Sequence, residues 1–126
     1  MKRLDTIGIT RVDIRVSRID RPDLSRAVRD VVVDTGATVS AIPLKVVKQL
    51  GIEFPVKRRF VLATGQTVVR RVGSAWIEVD GRKASDDIIS ITRGTPLLSV
   101  RALEGLGLEV DPRTKRLRKL EGSFLL

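Results

Sequence analysis

The chain of 126 residues has no cysteine, histidine, tyrosine or asparagine. Each absence removes a class of chemistry. Without cysteine there is no disulfide, no thiolate nucleophile and no cysteine-type zinc site. Without histidine there is no Ser-His-Asp triad and no imidazole metal ligand. Acid–base work near neutral pH falls to Asp, Glu or Lys, and carboxylates titrate there only in a special environment. Aromatics are scarce. Trp76 stands beside three phenylalanines, whereas a platform for stacking single strands uses several exposed rings. No apolar run is long enough to span a bilayer. The start, Met1-Lys2-Arg3-Leu4-Asp5, meets charge before any signal-peptide core can form. The expectation is no membrane partner and a cytoplasmic location. Scarcity of Asn, Gln and Met fits a thermophile tendency, and equally a GC-rich genome.

What is present is basic. Lys and Arg number 24 against 15 Asp and Glu, for a net charge of +9. Such a balance suits an anionic partner, but here the cations are scattered as singles and pairs. The dense stretch is Arg113 to Lys119. This pattern favours a solvated basic surface over nucleic-acid recognition. A basic nucleic-acid-binding β domain remains the weakest of the readings. The length fits a single domain, residues 1–126, burying roughly two-thirds of its unfolded surface.

The dominant hydrophobic period is two, which predicts strands. Ile7 and Ile9 share one parity and Val12, Ile14 and Val16 the other, so a turn or bulge is expected near Thr10 and Arg11. Asp20-Arg21-Pro22-Asp23 is a breaker cluster. Val31-Val32-Val33 predicts a strand buried on both faces. Pro43 to Leu50 predicts a short helix, with proline first and Gly51 as its stop. Phe60–Ala63 and Gln66–Val69 flank Thr64-Gly65 as a hairpin. Ala75–Val79 is a strand ending at the Asp80-Gly81 turn, and Ile88–Ile91 is another. A second helix is expected from Ser99 to Leu106, before Gly107. Leu108–Val110 and Leu117–Leu120 form a last hairpin, and the tail from Gly122 to Leu126 ends in apolar residues. Many short strands with two short helices predict a mainly β domain, a small closed or partly closed β-barrel.

The sharpest feature is Asp34-Thr35-Gly36-Ala37-Thr38-Val39-Ser40. An apolar strand delivers a carboxylate into a tight turn. Gly36 permits close backbone approach and unusual dihedrals. The Thr35, Thr38 and Ser40 hydroxyls are placed to bond the loop. The expected result is one rigidly presented aspartate. Asp-Thr-Gly also occurs by chance in turns. Asp-x-Gly-x-Thr further matches a phosphate loop of actin- and hexokinase-type ATPases, but that fold needs two large lobes. The remaining aspartates stand in Asp-Pro, Asp-Gly or charged-loop contexts.

In this context the sequence resembles the retropepsin-like aspartic proteases, the family of retroviral proteases and their cellular relatives. The resemblance spans roughly Ala27 to Val110. Asp34-Thr35-Gly36-Ala37 matches the catalytic motif, and Ser40 falls at its Ser/Thr position. Val69 to Ala84 is similar, without a gap, to the stretch leading out of a retroviral flap. That places the flap tip at Ala63-Thr64-Gly65. Thr95-Pro96-Leu97-Leu98-Ser99 is similar to the apolar segment before the family's helix, and Ala102, Leu103, Leu106 and Gly107 continue the pattern. Three departures stand out. Ser99 replaces a glycine beneath the active site, Val100 replaces an arginine, and the flap lacks a multiple-glycine tip.

The resemblance implies an aspartic endopeptidase. With one motif per chain, Asp34 meets its copy in a symmetric homodimer. The two carboxylates share a proton and activate water against a peptide bond, with no metal and no cofactor. It also implies that Thr35 grips the partner loop and that Gly36 approaches an extended peptide substrate. The Phe60–Val69 hairpin would be the mobile cover. Ala37, Val39, Ala63, Leu97 and Leu98 are the expected pocket residues. Arg58, Arg59, Arg70 and Arg71 border the flap, serving either its solubility or a preference for acidic peptides. A catalytically weak or inactive peptide-binding or assembly module is the alternative, motivated by Ser99 and the flap.

Overall fold

A computed structural model describes residues 8–120. The apolar tail lies outside the described residues. Nine strands and two short helices follow in order. They are β1 (Arg11–Arg18), β2 (Arg21–Asp34), β3 (Ser40–Pro43), α1 (Leu44–Leu50), β4 (Val56–Val61), β5 (Thr67–Val79), β6 (Arg82–Ile91), β7 (Leu97–Ser99), α2 (Val100–Gly105), β8 (Leu108–Val110) and β9 (Leu117–Lys119). Seven strands form one sheet in the order β1-β2-β7-β3-β6-β5-β4. A further pairing of β1 with β5 partly closes it, while β8 and β9 form a separate hairpin. The architecture is mainly β, as the period-two pattern implies.

Alternation carries the core. Ala75, Ile77 and Val79 on β5 point inward with Ile14 and Val16 of β1, and α1 and α2 add Val47, Leu50, Ala102 and Leu103. Ile7 lies outside the described residues, and the register shows no bulge at Arg11, where β1 begins. The bulge that is found lies further on and puts its extra residue in β2. The β1–β2 register shifts between Val12 and Ile14, opposite Asp30, whose φ is 54°. The Asp13 carboxylate accepts the Asp30 N–H and holds this kink. The breaker at residues 20–23 is narrower than expected, because β2 already runs through Arg21 and Pro22. Of the valine run, Val31 is fully buried and Val32 and Val33 only half so.

Both helices fall where their end signals put them. Pro43 is the residue before α1 rather than its first, and Gly51 closes it in the left-handed region, where glycine carries no Cβ penalty. Asp80 and Gly81 both take positive φ in the β5–β6 turn, the combination a two-residue hairpin requires. Gly73 marks the place where β5 leaves β4 and joins β6. A Cβ there would collide with the Glu53 carbonyl oxygen and lie 3.2 Å from Phe54. Among the described residues, no helix is long and apolar enough to cross a membrane.

Candidate active site

β2 ends at Asp34, where it runs parallel to β7 with Asp34 opposite Ser99. The carboxylate is held by its own turn. Asp34 Oδ1 accepts the Gly36 N–H at 2.9 Å, and the Asp34 carbonyl accepts the Ala37 N–H at 3.1 Å. Ala37 in turn accepts the Val100 N–H, which ties the loop to the start of α2. Gly36 permits unusual dihedrals, but its φ is not positive. A Cβ there would sit 3.4 Å from Asp34 Oδ1, at ordinary contact distance. Thr35 and Thr38 are exposed, and neither hydroxyl bonds the loop in its own chain.

Ser40 lies under the loop and bonds away from it. Its hydroxyl donates to Asp86 Oδ2 at 2.7 Å and accepts the Ser99 N–H at 3.0 Å. Ser99 repeats the pattern: its hydroxyl donates to the same Asp86 oxygen at 2.8 Å and accepts the Ala102 N–H at 3.0 Å. All three residues are buried. Ser99 thereby caps α2 and joins β7 to β6 beside Asp34. The residue that departs from the glycine of the resembled family is fully satisfied here. Burial pushes the Asp86 carboxyl above its ordinary range, and the two serine hydroxyls pull it partly back. Sequence reading placed Asp86 in a charged loop. It stands instead within β6, at the same inward parity as the core residue Ile88. That shared parity was the available signal.

In front of the loop lies a cleft of about 620 Å³. Asp34, Gly36, Ala37, Thr38 and Val39 form one side, and Phe60 to Ala63 with Val68 and Arg70 of the β4–β5 hairpin form the other. Ala41, Ile89, Ile91 and Leu97 complete the lining. Ala37, Val39, Ala63 and Leu97 therefore reach the cleft. Leu98 does not. It is 0% exposed and belongs to the core, because alternation along β7 turns successive residues to opposite faces. The hairpin tip is at Ala63-Thr64-Gly65, as the spacing implies. Gly65 has a φ of 87° and donates its N–H to the Leu62 carbonyl. Thr64 accepts the Gln66 N–H through its hydroxyl. Val61 and Leu62 leave an apolar tip largely exposed. Phe60, Val68, Ile89 and Ile91 join the lining without having been singled out, since apolar strand residues carry no mark of which face they serve.

A family model described as aspartyl protease matches residues 25–96. The chain belongs to the aspartyl protease family. The match holds the Asp34 loop, the β4–β5 hairpin and Asp86, and stops short of Ser99. Among solved structures, the solution structure of the simian foamy virus (mac) protease is similar, with a TM-score of 0.50 and 16% identity. It covers 75% of this chain and 92% of the viral one. This member of the aspartyl protease family thus shares the retroviral protease fold. No curated protein sequence matches it.

Proposed function

We propose that this aspartyl protease family member is an endopeptidase that works as a symmetric homodimer. The observation that carries the reading is Asp34, held by the Gly36 N–H at the end of a strand, on the wall of an apolar cleft roofed by a hairpin. One chain supplies one such carboxylate, so the reaction needs a second copy across a two-fold axis. Two carboxylates brought together there share a proton. The ionised member takes a proton from a bound water, which attacks the peptide carbonyl carbon. The protonated member donates to the carbonyl oxygen. Collapse of the tetrahedral intermediate returns a proton to the leaving amine. The Thr35 hydroxyl, which bonds none of the described residues, is the group offered to the partner loop.

An extended peptide fits the cleft, with apolar side chains on Val39, Phe60 and Leu97 and its backbone against the hairpin. The hairpin would then act as a flap that closes over bound substrate. The reading without turnover rests on Ser99 and on the flap, and the bonds of Ser99 to Asp86 and Ala102 count against the first of these alone. The test is hydrolysis of denatured protein at acidic to neutral pH, with sedimentation to measure the mass. Asp34→Asn should lower kcat by about 10³-fold or more. Equal hydrolysis by the variant, or a strictly monomeric active species, would reject the proposal.

A further inference from the structure

We infer that Arg70 makes the cleft selective for peptides carrying an acidic side chain beside the scissile bond. This rests on the peptidase reading and adds a substrate class to it. The sequence shows four arginines near the hairpin, and the fold separates them. Strand pairing sets Arg58 opposite Arg70, with Phe60 and Val68 as the next pair on that face. Arg59 and Arg71 lie at the other parity, and Arg71 donates to the Phe54 carbonyl. Arg58 shares the face of Arg70, but it is ion-paired with Asp87 at 3.1 Å. Arg70 lines the cleft, and its hydrogen bond goes to the carbonyl of its neighbour Val69.

The lining holds two ionisable side chains, Asp34 and Arg70. The rest is apolar or small and uncharged. A guanidinium in that setting, with no carboxylate of the described residues paired to it, still has donors to offer. The group that matches its planar fork is a carboxylate, bound bidentately. Arg70 is itself exposed, so solvent and salt screen the attraction. A lysine side chain brought to the same place would meet like charge. The cleft should therefore take substrates whose apolar residues fill Phe60, Val68 and Leu97, with a Glu or Asp reaching the hairpin base.

The experiment uses paired peptides, neutral and apolar except for one Glu moved through the positions flanking the scissile bond. Each has a Gln twin. Binding is measured on the full chain carrying Asp34→Asn, and cleavage on the unmodified chain. At one position, Glu should bind about threefold tighter than Gln, the scale of an exposed ion pair, and the ratio should shrink as salt is raised. Arg70→Gln should bring the Glu/Gln ratio to unity, Arg70→Glu should invert it in favour of Gln, and Arg59→Gln should leave it unchanged. A ratio near one at every position overturns the inference, as does a ratio that survives Arg70→Gln or a peptide set that fails to bind. Cleavage without a Glu/Gln difference would remove the preference and keep the peptidase. A preference in binding without any cleavage would do the reverse.

Discussion

The hydroxyl of Ser99, on the strand paired beside the one that presents Asp34, donates to Asp86 Oδ2 at 2.8 Å. The same hydroxyl accepts the Ala102 N–H. One side chain therefore caps α2 and satisfies a buried carboxylate. Replacing Ser99 by Gly removes both bonds. The expected loss is about 2–3 kcal/mol, combining a helix cap with a hydrogen bond to a charged group. Urea unfolding measures it. A loss under about 0.5 kcal/mol, the range of neutral surface changes, would show that the network contributes nothing to stability.

Asp86 also sets a pH dependence. Burial raises its pKa, so the folded chain keeps a proton that the unfolded chain has released. Stability must fall as pH rises from the ordinary carboxylate value through the raised one. Asp20 acts in the opposite sense, held low by its hydrogen bond from Arg18. So do Asp23 beside Arg21 and Asp111 with the Arg113 N–H. The informative quantity is therefore the difference between the chain and Asp86→Asn. Urea midpoints taken across the acidic range should show a falling component that the variant lacks. Parallel curves would contradict the assignment.

Gly73 sits where the hairpin leaves the main sheet. An added methyl group meets the Glu53 carbonyl and Phe54. Backbone on one side leaves little room to yield. Gly73→Ala should cost about 1–3 kcal/mol as overpacking, and thermal unfolding should show it. Gly8→Ala, where none of the described residues lies within 4 Å, is the control expected to stay near zero.

Leu97 and Leu98 separate substrate contact from core packing. Leu98→Ala opens a cavity in the core and should lose about 2–5 kcal/mol. Leu97→Ala lies on the cleft and should lose less, while raising KM for apolar peptides. Denaturation and kinetics on the same two variants test both halves. A larger stability loss at Leu97 would reverse the placement.

The local sequence determined a good deal. Period-two alternation located the strands, Pro43 and Gly51 bounded α1, and Asp80-Gly81 fixed a turn, because each signal acts over a few residues. Asp34-Thr35-Gly36-Ala37 after an apolar run disclosed the candidate site for the same reason. Its lack of histidine and cysteine pointed to carboxylates as the chemistry left. The tertiary structure decided what the strands meet. Asp86 lies 46 residues from Ser40 and 13 from Ser99 in sequence, and only the pairing of β6 with β3 and the packing around β7 brings the three together. Leu97 and Leu98 are adjacent and chemically alike, yet the pleat sends one to the cleft and the other to the core. Arg58 and Arg70 are alike as well, and only the position of Asp87 ties one down and leaves the other facing the cleft. Contacts between distant segments depend on sheet order and register, and neither is written in any single stretch of the chain.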